Sequence, residues 1–415
     1  MLKRLDADSW VPGRRASLED VYPAVNDIIE NVKANGDAAL FEYAKKFDRC
    51  ELDSLLVTED EREDAYEDVD PKIVEYLIEA ESRITEFHEY QKKEDLWLRQ
   101  LHPGITLGIK TTPLNRAGCY IPGGRASYPS TAIMTVVPAR VAGVESICAC
   151  TPPPANSMTI AALDIAGATE IVRAGGAQAV AAMALGTESI EPVQKIVGPG
   201  NVYVTAAKIL LRGNAEIDFP AGPSEICIIA DESANPSFIA ADILAQAEHD
   251  PNAACVLVTT SESLADKVSA DVKMMAKSAP RAEIIEKALT NSGYIPAADL
   301  KDAVSISDRI APEHLSIQVS DPLPVLSAVR NAGSIFVGPY TPVACGDYAS
   351  GTNHVLPTAG YASVYSGLNV SHFCKTSTVQ IIEQEGLEEI GDIVEALAEA
   401  EGLFAHSESV KIRRK

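Results

Sequence analysis

The chain has 415 residues, of which 46% are hydrophobic and 23% are charged, and its formal net charge is −24. That length suffices for two or three domains with cores of their own. The acidic balance is typical of a surface that keeps a protein in solution, and it would weakly favour a small cationic substrate. Because such a surface repels nucleic acid and anionic membranes, neither is an expected partner.

Nothing in the sequence predicts export or membrane insertion. Residues 1–10 lack the apolar core of a signal peptide, and no apolar run approaches the roughly 20 residues that span a bilayer. The eight cysteines lie mostly in apolar, strand-like stretches, which is typical of reduced thiols in a cytoplasmic protein. Cys148 and Cys150 are spaced as on one face of a strand, one residue short of the usual metal or redox pair.

Helical periodicity dominates residues 16–92, where apolar residues share one helical face around 21–32 and again around 73–84. Residues 104–114 then alternate like a strand. From about 119 strands and helices alternate, which predicts an α/β fold with parallel sheets. The predicted strands are 146–151, 170–173, 195–198, 225–230, 254–259, 315–319 and 334–337. The predicted helices are 157–167, 176–186, a stretch after 201, and 236–249, which Asn235 caps and Pro236 begins.

The strands form two groups, which predicts two α/β units with the first inserted into the second. We expect a discontinuous substrate and metal domain over 1–118 and 224–368, and an inserted nucleotide-binding domain over 119–223. Residues 369–415 are predicted to form a helical tail. Its apolar stripe ends on Glu401, either as a solvated helix end before Gly402 or as a surface that docks on a partner chain. Docking would deliver Glu401 and His406 to a site.

Three glycine-rich turns precede helical stretches, at 120–125, 175–178 and 198–201. At the carboxyl edge of a parallel sheet, glycine lets the backbone approach a phosphate, and the next helix N-terminus supplies donors. No G-x-G-x-x-G motif occurs, so the standard dinucleotide fingerprint is missing. Three turns on one edge therefore favour a loosely held nucleotide.

Histidines and carboxylates stand at a few places that suit a metal and proton transfer. Gln246 and His249 share a helix face, although a histidine at a helix end more often caps carbonyls and Gln is a rare zinc ligand. Glu313 and His314 lie just before a predicted strand, and these two adjacent bases could transfer protons. Asp347 lies in a glycine-rich run that packing alone does not explain, and we expect a loop there.

Several motifs together resemble those of histidinol dehydrogenases, in the order of that family and over most of the chain. They are Tyr-Ile-Pro-Gly-Gly at 120–124, Gly-Pro-Gly-Asn at 198–201, Asp-Phe-Pro-Ala-Gly-Pro-Ser-Glu at 218–225, Gln-Ala-Glu-His-Asp at 246–250, Ala-Pro-Glu-His-Leu at 311–315 and Gly-Thr-Asn-His-Val-Leu-Pro at 351–357. The resemblance implies two incomplete Rossmann-like domains similar to those of aldehyde dehydrogenases. It also implies that L-histidinol is oxidised to L-histidine with two NAD⁺ and one zinc ion per subunit.

The same resemblance implies roles for individual residues. The zinc ligands would be Gln246, His249, Asp347 and His406, the last supplied by the partner subunit of a homodimer. The substrate would contact those ligands together with Ser224, His314 and Glu401. NAD would contact Tyr120, Gln178 and Asn201, and catalysis would rest on Glu313 and His314. One stretch departs from the family, because His372 stands where an aspartate is usual.

A mechanism follows from these roles. His314 would take the alcohol proton while NAD takes the hydride, and Glu313 would then activate a water that hydrates the bound aldehyde. The zinc would mainly orient the substrate. Cys119 is a rival nucleophile for the aldehyde, but no histidine near it in sequence lowers its pKa.

Other functions remain open from the residues. An NAD- and zinc-dependent dehydrogenase of the same fold could act on another small alcohol, although that substrate would not need both Glu401 and His406. A zinc hydrolase would leave the three glycine turns unexplained, and a metal-storage protein would leave the Glu313–His314 pair unexplained.

Overall fold

A computed structural model of the chain describes residues 2–10, 18–123, 128–220 and 222–414. The strands are β1 Lys3–Arg4, β2 Leu96–His102, β3 Ile105–Pro113, β4 Arg116–Tyr120, β5 Ser146–Thr151, β6 Glu170–Arg173, β7 Lys195–Val197, β8 Glu216–Ile217, β9 Glu225–Ala230, β10 Ala254–Thr259, β11 Gly293–Pro296, β12 His314–Gln318, β13 Ser334–Val337 and β14 Cys374–Ile382. The helices are α1 Ala7–Trp10, α2 Tyr22–Tyr43, α3 Glu59–Asp68, α4 Pro71–Glu89, α5 Pro129–Ala142, α6 Ser157–Ala166, α7 Gly176–Leu185, α8 Val202–Leu210, α9 Pro236–Ala247, α10 Glu262–Ala276, α11 Ala282–Leu289, α12 Leu300–Ile310, α13 Pro322–Ala328, α14 Val343–Tyr348, α15 Gln384–Ala400 and α16 Phe404–Lys411.

The larger of two compact units comprises the described residues of 1–91 and 115–373 and contains two parallel sheets. One sheet has the order β6-β5-β4-β7-β8, and the other has the order β1-β11-β10-β9-β12-β13. Apart from β1, each sheet therefore follows the 3-2-1-4-5 order of a Rossmann-like half. Every strand pair in both sheets is parallel, which confirms the α/β fold predicted from the sequence.

The strands of both sheets are apolar runs because helices cover both of their faces. On the five-stranded sheet, α2 packs with α7 and α8 on one side, while α5 and α6 lie on the other with α3 and α4 against them. On the six-stranded sheet, α9, α10 and α11 bury one apolar cluster and α12 and α13 bury another. Among the described helices, none is both long enough and apolar enough to cross a bilayer.

The smaller unit comprises residues 92–114 and the described residues of 374–415. It contains an antiparallel sheet of order β14-β3-β2, followed in the chain by α15 and α16. The tail was predicted to be helical throughout, and this was wrong for Cys374–Ile382. That segment is a strand because all nine of its residues pair with β3, which lies far away in sequence. The domain boundaries given above stay a prediction.

Candidate active site

The carboxyl edge of the five-stranded sheet carries the three glycine-rich turns. They follow β4, β6 and β7 and precede α5, α7 and α8. The strand order reverses at β4, so this edge forms the crevice in which open α/β sheets bind ligands. Gly124 and Arg125 of the first turn lie outside the described residues, as does Ala221 of the motif at 218–225.

Tyr120, Gln178 and Asn201, the three predicted cofactor contacts, line one cavity of about 1090 Å³ at this edge. The Tyr120 hydroxyl accepts a hydrogen bond from the Gly176 backbone N–H at 3.1 Å, and burial raises the pKa of Tyr120 to about 12. The Asn201 side-chain oxygen caps α8 by accepting from two backbone N–H groups at 3.0 and 3.1 Å. Neither of these bonds involves the Asn201 side-chain nitrogen, so its N–H groups can donate to a ligand.

A buried ion pair holds the third glycine-rich turn, residues 198–201, in place. Gly198 has φ +116°, and a Cβ atom there would overlap the Tyr120 carbonyl oxygen, so only glycine fits. Asp218 Oδ2 accepts from the Gly198 backbone N–H at 2.8 Å, and Lys208 Nζ donates to the Gly198 carbonyl at 3.0 Å. Lys208 and Asp218 form an ion pair with each other and are both buried. Sequence reasoning gave neither residue a role.

Glu313 and His314, the residues predicted to transfer protons, lie at the amino edge of the six-stranded sheet. His314 is the first residue of β12 and is in register with Ile226 of β9. Glu313 precedes it, and both side chains are buried. Ser224 stands directly before β9 and is half-buried. The amino edge is not where open α/β sheets usually bind ligands, so this position could not be inferred from the fold class.

The hydrogen bond of His314 determines which of its ring nitrogens can act as a base. Nδ1 lies 3.1 Å from the Glu225 carbonyl oxygen, which can only accept, so Nδ1 carries the proton. Nε2 therefore holds the lone pair, and this buried atom has no hydrogen-bond partner among the described residues. It faces Asp347 Oδ1 at 3.9 Å. Burial lowers the pKa of His314, but the Glu313 and Asp347 carboxylates outweigh it and the net pKa is raised.

Glu313 is held in place by the neighbouring strand. Its Oε2 accepts from the Glu225 backbone N–H at 2.8 Å and lies 3.5 Å from His314 Nδ1. In return, Glu225 Oε1 accepts from the Glu313 backbone N–H at 3.1 Å. These reciprocal bonds tie the starts of β9 and β12 together. Glu225 was visible in a sequence motif, but only the strand pairing shows that it orients the other two side chains.

Asp347 was expected in a loop, and this was wrong because residues Val343–Tyr348 form the short helix α14. The Asp347 backbone carbonyl accepts a hydrogen bond from His354 Nδ1 at 2.9 Å. On the other side of the ring, His354 Nε2 lies 3.2 Å from the Thr131 hydroxyl on α5. Since Nδ1 must donate, Nε2 accepts from that hydroxyl. His354 therefore positions Asp347 and was not predicted as a site residue.

The remaining predicted metal ligands, Gln246, His249 and His406, and the predicted substrate contact Glu401 are divided between the two units. Gln246 is buried near the end of α9, and His249 lies exposed two residues beyond that end. Helix α9 packs against α14, which carries Asp347. Glu401 and His406 are exposed in the smaller unit, at the end of α15 and within α16. In the described ranges, no three His, Cys, Asp or Glu side chains lie close enough to hold a metal ion.

Cys119 does not have the surroundings of a nucleophile. Its side chain is fully buried in β4, its Sγ donates to the Thr135 carbonyl at 3.5 Å, and burial raises its pKa well above the usual range. We expect a Cys119→Ala variant to keep kcat within about twofold of the parent, because only packing is lost. Steady-state rates with alcohol and aldehyde substrates check this, and loss of the aldehyde step alone would show that the thiol participates.

Comparison with known proteins identifies the family to which this chain belongs. The histidinol dehydrogenase family model matches residues 12–414. A histidinol dehydrogenase of Methanosarcina mazei is 53% identical over 96% of this chain and 93% of its own length. The corresponding enzyme of Methanococcus maripaludis is 50% identical over 99% and 98%. The crystal structure of histidinol dehydrogenase from Elizabethkingia anophelis superposes with a TM-score of 0.95, at 37% identity over 99% of this chain and 96% of that chain. The chain therefore belongs to the histidinol dehydrogenase family and is an oxidoreductase.

Proposed function

We propose that the enzyme oxidises L-histidinol to L-histidine through L-histidinaldehyde, as the final step of histidine biosynthesis. Two NAD⁺ molecules would each take one hydride, and one water would supply the second carboxylate oxygen. The observation that carries the proposal is the buried Nε2 atom of His314, which has a lone pair and meets no hydrogen-bond partner within residues 2–10, 18–123, 128–220 and 222–414. Family membership supplies the substrate for which such a base is needed.

In the first half-reaction His314 Nε2 takes the proton of the alcohol while the hydride leaves the carbinol carbon for NAD⁺. The imidazolium that forms is stabilised because the Glu313 and Asp347 carboxylates lie 3.5 and 3.9 Å from its ring nitrogens. The Glu225 carbonyl keeps the ring in place throughout. A positioned base is what proton transfer from an alcohol needs, and the two carboxylates favour the charged form that the base then takes.

In the second half-reaction Glu313 takes a proton from a water molecule, which adds to the aldehyde carbon. Because the water gives its proton to Glu313 as it adds, the hydrate forms as its monoanion. Once His314 has released its first proton to solvent, Nε2 would take the remaining hydroxyl proton of this anion as the hydride leaves the carbon for the second NAD⁺, and the carboxylate product would remain. The fixed position of Glu313 supports this role, since its Oε2 is held by the Glu225 backbone N–H at 2.8 Å.

The proposed zinc ligands are Gln246, His249 and Asp347, with His406 of the partner subunit. The donors suit a borderline cation, because they combine imidazole nitrogens with carboxylate and amide oxygens. The unpartnered Nε2 of His314 beside Asp347 is consistent with a group that binds next to it. When bound, the zinc would hold the imidazole and amine of histidinol, and Ser224 and Glu401 would complete the substrate contacts.

The proposal includes a homodimer that shares its active sites. Its support is the apolar surface of the smaller unit, where Ile393, Leu397, Leu403 and Phe404 are between 44% and 69% exposed. A second copy that buries this face would explain why α15 and α16 leave such side chains in water. A cytoplasmic location fits the cysteines, all eight of which are free thiols.

The test is a steady-state assay with histidinol and NAD⁺, in which reduced nicotinamide is followed by its absorbance. We expect turnover that is lost on chelation and restored by added zinc. Metal analysis of the stripped and restored protein provides a readout that is independent of activity. Full turnover in protein shown to be free of metal would overturn the zinc assignment, and no turnover of histidinol by the loaded enzyme would overturn the proposed function.

A further inference from the structure

The cavity lined by Tyr120, Gln178 and Asn201 is called the cofactor cavity below. One carboxylate that lines it belongs to the N-terminal helical region and not to the strands and helices that flank the glycine-rich turns. Asp48 ends a single π-helical turn, Ala44–Asp48, that directly follows α2. It lines the cavity together with Tyr120, Gly176 and Gln178. The helix α2 packs against α7 and α8, and this packing brings the N-terminal region to the carboxyl edge of the sheet.

The carboxylate of Asp48 is short of the donors that a partly buried anion needs. Its Oδ2 atom is enclosed, and no residue in the described part of the chain donates a hydrogen bond to it. Burial raises the pKa of Asp48 to about 6, and its charge in turn helps raise the pKa of Tyr120. Lys46, a cation that lines the same cavity, places its Nζ over the Phe47 ring at 5.3 Å from the ring centroid. A ligand with paired hydroxyl donors would satisfy this anion.

The cavity fits the adenosine half of a dinucleotide better than the nicotinamide half. The reactive ring must approach the substrate beside His314, yet Glu313, His314 and Asp347 are not among the residues that line the cavity. Its wall includes Tyr43, Phe47 and the prolines at 152–154, which offer flat apolar surfaces to an adenine ring. The ribose attached to adenine would therefore lie within this cavity.

We propose that Asp48 accepts hydrogen bonds from the 2′- and 3′-hydroxyls of the adenosine ribose and so makes the enzyme select NAD over NADP. This inference rests on the proposed function. The 2′-phosphate of NADP would replace a donor with a dianion beside a carboxylate that is already short of donors. Acidic residues have this role in many dinucleotide-binding folds, where they follow the glycine turn by about twenty residues. Here the carboxylate precedes all three turns in the chain.

The test compares kcat/KM for NAD⁺ and NADP⁺ with histidinol in the zinc-loaded enzyme. For Asp48→Asn we expect KM for NAD⁺ to rise about tenfold with kcat within about twofold, because a remote binding contact is lost. The ratio of the two kcat/KM values should shift toward NADP⁺ by at least about tenfold. Glu42→Gln is the matched control, since it removes one exposed charge from α2 outside the cavity and should leave both values unchanged.

A second measurement avoids the variants and uses the parent enzyme. Both 5′-AMP and adenosine 2′,5′-bisphosphate should compete with NAD⁺, and the bisphosphate should bind at least about tenfold more weakly. Equal inhibition by the two probes would overturn the inference. So would an unchanged cofactor ratio in Asp48→Asn, or a ratio that changes only in Asp27→Asn, which alters the other aspartate lining the cavity. A parent enzyme that reduces neither cofactor with histidinol would instead refute the proposed function.

Discussion

Replacement of His314 by asparagine is expected to lower kcat for histidinol oxidation by about 10²- to 10⁴-fold, the usual contribution of a general base. The asparagine amide can still donate to the Glu225 carbonyl, which His314 Nδ1 approaches at 3.1 Å, so the local fold should persist. It offers no basic nitrogen at the position of Nε2. Because the proposed mechanism uses this base in both hydride transfers, oxidation of added histidinaldehyde should fall as well.

The matched control for this variant is His88→Asn. His88 is also buried, and its Nδ1 approaches a backbone carbonyl, that of Ile84, at 2.7 Å. It is not part of the proposed catalytic site, so its loss should lower the melting temperature while kcat of the folded enzyme stays near the parent value. A His314→Asn enzyme that retained kcat within about threefold would contradict the role of Nε2 as the base.

Replacement of Glu313 by glutamine separates the two half-reactions. The glutamine side-chain oxygen can keep the 2.8 Å bond from the Glu225 backbone N–H, but the amide cannot take a proton from water. The alcohol step should therefore continue, and aldehyde should accumulate. The measured yield should fall from two reduced nicotinamides per histidinol toward one, with aldehyde trapped by a carbonyl reagent. A yield of two at the parent rate would show that another group activates the water.

The parallel sheets could be predicted from the sequence because their strands are short apolar runs, buried on both faces and bounded by turn residues. The strand at Cys374–Ile382 could not, since its pairing partner β3 lies more than 250 residues earlier. Its residues are also largely exposed in the described unit, so no alternation marks them as strand. The short helix that carries Asp347 contains a glycine and has no side-chain cap, so local signals favoured a loop.

For a related reason, the sequence predicted which side chains belong to the candidate site but not how they are oriented. Its titratable side chains could be selected because histidine is scarce and pairs of bases are distinctive. Their orientation depends on hydrogen bonds between strands, such as those that Glu225 makes to Glu313 and His314, and strand register is not readable from one sequence. Asp48 was missed because an acidic ribose ligand is sought downstream of the glycine turn, whereas helix packing supplies it from upstream.

Loss of the buried ammonium in a Lys208→Met variant is expected to lower the free energy of unfolding by about 3–5 kcal/mol, because an uncompensated carboxylate would remain in the interior. The partner, Asp218, has a side chain that is 0% exposed and that also holds two backbone N–H groups. The matched control is Arg212→Met, which breaks an ion pair with Glu216 whose side chains are 54% and 49% exposed. That change should cost less than about 1 kcal/mol. Urea unfolding at neutral pH measures both.

The Lys208→Met variant should also raise KM for NAD⁺ more than it lowers kcat. This effect distinguishes a role of Lys208 in positioning the turn at 198–201 from a general loss of stability. Lys208 Nζ donates to the carbonyls of Gly198 and Phe219, at 3.0 and 3.4 Å, so it joins the cofactor turn to the segment that leads to Ser224. Lys208→Met combined with Asp218→Asn removes the stranded charge and should recover much of the lost stability. The raised KM should persist in the double variant, because the turn still lacks its ammonium donor. Recovery of KM together with stability would mean that the pair acts on the fold alone.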